Sequence, residues 1–157
     1  MAESHKKWEV FARDYRRYIR LEKHLSENTV DAYMRDLEEF AHYIMRWFDV
    51  PPERVEQPMI ERYMAWLYDE GRSRASQARR LSGIKSFYNF LLLGDRIEQL
   101  PTEYIEAPKA RRTLPDVLTL DEIDALVRTF DITTAKGSRD SAIVEVLYST
   151  GLRVTEL

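Results

Sequence analysis

Apolar residues return at intervals of three and four along nearly the whole chain, the spacing of one face of an α-helix. The first such run predicts a helix over about Glu3 to Glu22, with Trp8, Phe11, Tyr15, Tyr18, Ile19 and Leu21 as a broad apolar face. A second, in "LSENTVDAYMRDLEEFAHYIMRWF", places Val30, Tyr33, Leu37, Phe40, Ile44 and Trp47 on one stripe. Ser26 is its expected N-cap, because a hydroxyl there can accept from a free amide of the first turn. The full capping box is missing, since Thr29 stands where Glu or Gln would be.

"DVPPERVEQP" breaks the period. A third helix is expected from about Met59 to Glu70, ended by Gly71, and a fourth from about Ser73 to Leu93, stopped by Gly94. Ala78, Leu81, Ile84, Tyr88 and Leu91 form the buried stripe of the fourth. Trp8, Trp47, Trp66, Phe87 and Tyr88 all fall on apolar stripes and are expected in the core. Four helices with short connections make a bundle of ordinary domain size.

In "GDRIEQLPTEYIEAPKARRTLPDVLTL", Pro101, Pro108 and Pro115 discourage a continuous helix, so this is the linker region. Helices resume at "TLDEIDALVRTF", where Thr119 and Glu122 complete a capping box, and near Ser138 to Ser149, before Gly151. The expected organisation is all-α: a bundle domain over 1–107, a linker over 108–118, and a helical piece over 119–157. A piece that small rarely buries enough surface to stand alone, so it reads as the start of a truncated second domain.

Composition narrows the classes. The chain has no cysteine, which excludes a disulfide framework, a thiolate metal site and a cysteine nucleophile, and fits a reducing cytoplasm. No apolar run is long enough to cross a bilayer, so no membrane insertion is expected. The net charge of -3 hides three unlike regions. Residues 1–71 and 113–157 each carry net -4, whereas 72–112 carry net +5. A phosphate backbone feels local charge within a Debye length, so the middle matters most.

That middle is the fourth helix, "RSRASQARRLSGIKSFYNFLLLG", with Arg72, Arg74, Arg79, Arg80 and Lys85 and no acid. Arg79, Ser82, Gly83 and Ser86 lie off its buried stripe and make a basic face of small residues, with Ser76 as a further candidate contact. Small side chains let a helix approach a sugar-phosphate backbone, while hydroxyls and guanidinium groups donate to phosphate oxygens. A merely solvated helix is normally laced with carboxylates four residues from its cations, and this one has none. Lys109, Arg111 and Arg112 in "KARR" add charge where a linker could cross a duplex.

Other chemistry is thin. Glu38 and His42 stand four apart on one helix, but a metal site would need partners from other helices; no metal is expected. His5 and His24 have no ligand-spaced company by this reading. No glycine-rich phosphate loop or G-x-S-x-G elbow is present. In "RDSAIVEVLYSTGLRVTEL", Arg153 follows a Gly-Leu turn and opens a new helical segment, with Glu156 three residues on. It reads either as a phosphate-gripping fork held by a carboxylate or as an ordinary surface pair.

That last segment closely resembles the stretch carrying the first catalytic arginine of tyrosine recombinases, the Xer-type resolvases and phage integrases. "LSENTVDAYMRDLEEF" is similar to the family's second N-terminal helix, "SQARRLSGIKSFYNFLL" to its fourth, and "LPDVLTLDEIDALV" to the entry of its catalytic domain. The resemblance implies a SAM-like, DNA-clamping core-binding domain followed by a catalytic domain that is only begun. It gives Arg153 the scissile phosphate, supported by Glu156, and adds Asn28, Thr29 and Arg35 to the DNA contacts. It implies strand cleavage and rejoining through a 3′-phosphotyrosyl intermediate, no cofactor, a specific duplex site, and a second recombinase subunit in a tetramer. The nucleophilic tyrosine is expected beyond Leu157, so the nine tyrosines present are assigned to helix packing. Two rivals are a non-catalytic DNA-binding protein with the same N-terminal domain and a helical module that docks an acidic protein.

Overall fold

The computed structural model describes residues 2–109 and 117–157. It contains α1 (Ala2–Leu21), α2 (Glu27–Trp47), a 3-10 turn (Pro52–Arg54), α3 (Gln57–Asp69), α4 (Arg74–Leu93), α5 (Leu120–Arg128) and α6 (Ala135–Thr150). No strand occurs among the described residues. The chain divides into two compact units, 1–111 and 112–157.

The helix starts follow their sequence signals. Ser26 and Ser73 cap α2 and α4, accepting from the amides of Thr29 and Ser76. The end of α3 has Gly71 in the left-handed region (φ 73°), where the Arg72 amide reaches back to the Leu67 carbonyl. α4 ends at Leu93 with Gly94 as its C-cap, as expected, but Gly94 has an ordinary φ of -92° and the left-handed residue is Asp95 (φ 51°). Asp49 plays the same part after α2. Aspartate tolerates this conformation better than most side chains, so a helix stop need not be a glycine.

Each helix of the first unit contributes to one core. Trp8, Tyr15 and Ile19 come from α1, Leu37, Phe40 and Ile44 from α2, Ile60, Tyr63 and Leu67 from α3, and Leu81, Ile84, Phe87, Tyr88 and Leu91 from α4. Trp8 stacks on Phe87 at 5.8 Å and meets Phe40 edge-on at 5.9 Å, so α1 is keyed to both α2 and α4. The Trp8 indole N–H donates to the Val50 carbonyl (3.1 Å) and the Tyr88 hydroxyl to that of Pro52 (3.3 Å). These bonds fix the α2–α3 connection and satisfy polar groups that burial would otherwise orphan.

Several apolar stripes are narrower than their periodicity. Leu21 and Trp47 are exposed, Trp47 to 58%, and Trp66 is half-buried. Trp66 packs on Tyr43 and Tyr63 at the edge of the core, while Trp47 lines the α2–α3 cleft and is covered on one side by the Arg46 guanidinium at 5.3 Å. Not every tyrosine packs, since Tyr68, Tyr104 and Tyr148 are exposed. Beyond α4, Ile97 and Leu100 pack on the core and Thr102 and Ile105 are buried, so the chain keeps contact with the bundle well past Gly94.

The second unit is built differently. The α5 capping box is complete, with Thr119 and Glu122 each accepting or donating across the first turn. Asp131 accepts from the amide and hydroxyl of Thr133, and Thr134 caps α6. A Cβ at Gly137 would lie 2.0 Å from the Asp131 carbonyl oxygen, so only glycine fits this connection. Among the described residues of this unit only Gly137 and Ser141 are buried, and Val117, Ile132, Val146 and Val154 are exposed. Its helices are held by local hydrogen bonds rather than by a core.

Candidate nucleic-acid interface

The outward strip of α4 runs through Ala75, Arg79, Ser82, Ser86 and Asn89, at helical intervals of three and four. It borders a groove lined by Tyr18, Lys23, Tyr33, Ser82, Lys85, Ser86 and Asn89. No carboxylate lines that groove among the described residues. Two ammonium groups therefore stand over hydroxyl and amide donors.

Gly83 does not belong to the outward strip. It is buried where α4 crosses α2, and a Cβ there would sit 3.7 Å from the Asp36 Cβ. Lacking a side chain, this turn of α4 leaves room for Asp36, which is 3% exposed. The Arg79 guanidinium closes a two-pronged bond on that carboxylate, Nη2 to Oδ1 at 2.9 Å and Nη1 to Oδ2. The side chain of Arg79 remains 47% exposed.

Arg80 is more enclosed, with a side chain 11% exposed. Its Nε donates to Glu39 Oε2 at 2.8 Å and its Nη1 to the Ser76 hydroxyl. Burial opposes its positive charge, but the Glu39 hydrogen bond and charge more than offset that, so its pKa is raised. Arg72 lies 3.8 Å from the same carboxylate. The carboxylates missing from the sequence of α4 are therefore supplied by α2. Asp36 and Glu39 were missed by the sequence reading; their only signal is a spacing of three on the helix that packs against α4.

The remaining expected contacts spread over several surfaces. Arg74 is exposed and Lys85 half-buried, neither ion-paired among the described residues. Asn28 is exposed, while Thr29 is half-buried with its hydroxyl 2.9 Å from that of Ser26. Arg35 is exposed but lines the clefts that α2 makes with α1 and α3, not the groove beside Lys85. Lys109 is exposed, and Arg111 and Arg112 lie outside the described residues.

Arg153 is 83% exposed and follows Gly151, which holds the left-handed conformation (φ 67°). Its backbone N–H donates to Glu156 Oε2 (2.8 Å) and its Nη1 to Oε1 (3.1 Å). A single turn, not a new helix, follows it among the described residues. Burial pushes the hydroxyls of Tyr15, Tyr63 and Tyr88 above the usual phenol range, as core positions would.

His5 has company after all: Glu9 lies one turn on, with Nδ1 to Oε1 at 3.4 Å, and both face Glu38 and His42 across the α1–α2 cleft. Yet no group of three or more His, Asp or Glu is placed to hold a metal among the described residues. No helix among them is long and apolar enough to cross a membrane.

Fold and site together define an all-helical bundle domain with one cation-edged face of small polar residues, joined to a helical unit that buries almost nothing. Residues 12–93 match the model of the phage integrase N-terminal SAM-like domain, and the chain belongs to that family. It is 40% identical over 149 residues to tyrosine recombinase XerD of Staphylococcus haemolyticus, which covers 95% of this chain and 50% of that protein. The corresponding Staphylococcus aureus protein is 38% identical over the same length. The chain thus spans about half the length of the curated relatives it matches.

Proposed function

We propose that this chain is the DNA-clamping half, with the opening of the catalytic domain, of a Xer-like site-specific tyrosine recombinase acting in the cytoplasm. The domain division is that of the sequence reading, a clamp over 1–107 and the catalytic opening from 119. Duplex DNA meets the outward strip of α4. The observation that carries this is the groove beside Ser82 and Lys85, where Lys23 and Lys85 stand over hydroxyl and amide donors with no lining carboxylate. Phosphate oxygens are acceptors only, so such a lining suits them and repels nothing. Arg74 and Ser76 add contacts from α4, Asn28, Thr29 and Arg35 assist from other surfaces of α2, and Lys109, Arg111 and Arg112 are the further contacts expected from the linker.

In the intact protein a tyrosine oxygen supplied by further polypeptide attacks phosphorus and loses its proton. The bond from phosphorus to the 5′ oxygen breaks, that oxygen takes up a proton and leaves as a free 5′-hydroxyl, and a 3′-phosphotyrosyl link remains. Because one ester replaces another, no energy-rich cofactor is needed. Arg153, held by Glu156, offsets the negative charge that grows on the non-bridging oxygens. A second subunit in a tetramer on DNA supplies the partner strand exchange. Residues 1–157 alone should bind duplex but not cleave it, so suicide substrates should trap no covalent adduct.

The test is fluorescence anisotropy of a labelled random-sequence duplex across a salt titration. The logarithm of affinity should fall linearly with the logarithm of salt concentration, and Lys85→Ala should reduce the slope by about one counterion. Salt-independent binding, or none, overturns the proposal, and a salt-dependent preference for an acidic protein over duplex would replace it.

A further inference from the structure

We infer that Asp36 is a positioning residue for DNA selectivity: it fixes Arg79 in the outward strip and cancels its charge, so that Arg79 contributes direction rather than general attraction. The inference rests on the proposed DNA contact of α4 and assigns a role within it. Three observations carry it. Arg79 lies in the middle of the strip, between Ala75 and Ser82. Its fork is closed on a carboxylate that is itself buried and comes from another helix. Gly83, one turn on, is buried against Asp36, so the carboxylate is packed onto the α4 backbone at this crossing.

A free arginine on a helix face swings through many rotamers and meets phosphates in many registers. Such a contact strengthens binding to every sequence alike. Arg79 has two of its five N–H donors committed to Asp36, which leaves a half-exposed planar edge at one position and angle. A donor edge fixed in place rewards only those duplexes that offer an acceptor there, as bidentate base contacts do. The pair is also close to neutral, so it adds little to sequence-independent attraction. Neighbouring Arg74 and Lys85, not ion-paired among the described residues, remain to supply that attraction.

The experiment compares the full chain with Asp36→Asn and Arg79→Lys. Wild-type protein first enriches a preferred duplex from a random library. Each protein is then measured on that duplex and on an unselected pool, across salt. Asp36→Asn keeps the shape but frees the Arg79 charge. It should bind the pool more tightly, steepen the salt slope by about one counterion, and lose about tenfold in the ratio of preferred to pool affinity. Arg79→Lys retains a cation beside Asp36 but loses the fork, and should lose selectivity by a similar factor without needing Asp36 replaced. It keeps the question open to refutation if Asp36→Asn fails to fold. A merely structural Asp36 would lower both affinities together and leave slope and ratio at wild-type values, which overturns the inference. So does retained selectivity in Arg79→Lys. If the wild-type chain itself ignores duplex DNA, the functional proposal falls first, and that outcome is distinct.

Discussion

Replacing Arg79 with alanine tests whether the charge on α4 is structural. Periodicity puts Arg79 on an exposed face, where a substitution moves stability by only about 0.5 kcal/mol. The structure gives a larger figure. Asp36 is almost wholly buried, and among the described residues its carboxylate accepts hydrogen bonds from Arg79 alone. Removing one partner of a buried pair costs about 3–5 kcal/mol, because the other charge is left desolvated and alone. Water reaches the half-exposed Arg79 site, so the low end, about 3 kcal/mol, applies. Against a total stability of about 5–15 kcal/mol that is a large share. The reverse change, Asp36→Asn, costs less, since the cation left behind is half in water.

Urea unfolding followed by tryptophan fluorescence is the suitable assay. Trp8, Trp47 and Trp66 are the three tryptophans of the chain and all lie in the first unit, so the signal reports its unfolding. A lower midpoint at constant slope is the expected result. The double variant Asp36→Asn with Arg79→Ala should recover at least about 1 kcal/mol relative to Arg79→Ala, since an orphaned neutral amide costs less than an orphaned charge. Loss of under about 0.5 kcal/mol in Arg79→Ala would refute the reasoning. So would a double variant no more stable than the single.

Ser82→Glu puts a carboxylate into a groove that has none; duplex affinity should drop at least tenfold by anisotropy with the urea midpoint unchanged. Gly83→Ala should stabilise the first unit by about 0.5–1 kcal/mol, because alanine favours helix and its Cβ would meet Asp36 at an ordinary 3.7 Å. Gly137→Ala should do the opposite in the second unit, scattering the amide resonances of residues 131–141 while the tryptophan midpoint stays put. The Thr119 amide, then the Thr119 hydroxyl, hold the Glu122 carboxyl below its usual range. The capping box is thus intact above the unfolded carboxylate pKa of about 4.3 and is lost as pH falls through the folded value. The Thr119 amide shift should therefore titrate below that point, and Glu122→Gln should abolish the titration.

The helices of this chain are legible because each is written in its own segment. Ser26 and Thr119 announce helix starts through chemistry that acts within one turn, and the core stripes of α2 and α4 repeat every three or four residues. The misreadings fall where a neighbour decides. Trp47 continues the α2 stripe in sequence, but it lines the open cleft between α2 and α3 and stays 58% exposed. Asp95 rather than Gly94 takes the left-handed turn, which no propensity for glycine would indicate.

The interface is harder to read for the same reason, carried one step further. A segment from Arg72 to Gly94 with five cations and no acid reads as an unneutralised strip when it is considered alone. Three of those cations meet carboxylates of α2, and the crossing where they do so buries Gly83, which had looked like part of the exposed face. What remains for an anion is narrower and better defined: Lys85 and Arg74, the hydroxyls of Ser82 and Ser86, and the outer edge of Arg79. Net charge along the chain points to this surface but overstates its free positive charge. Affinity for DNA should accordingly depend on few counterions, and selectivity on the fixed geometry of the α2–α4 crossing. The pairing that weakens the electrostatic pull of α4 is the same pairing that gives its central arginine a defined direction.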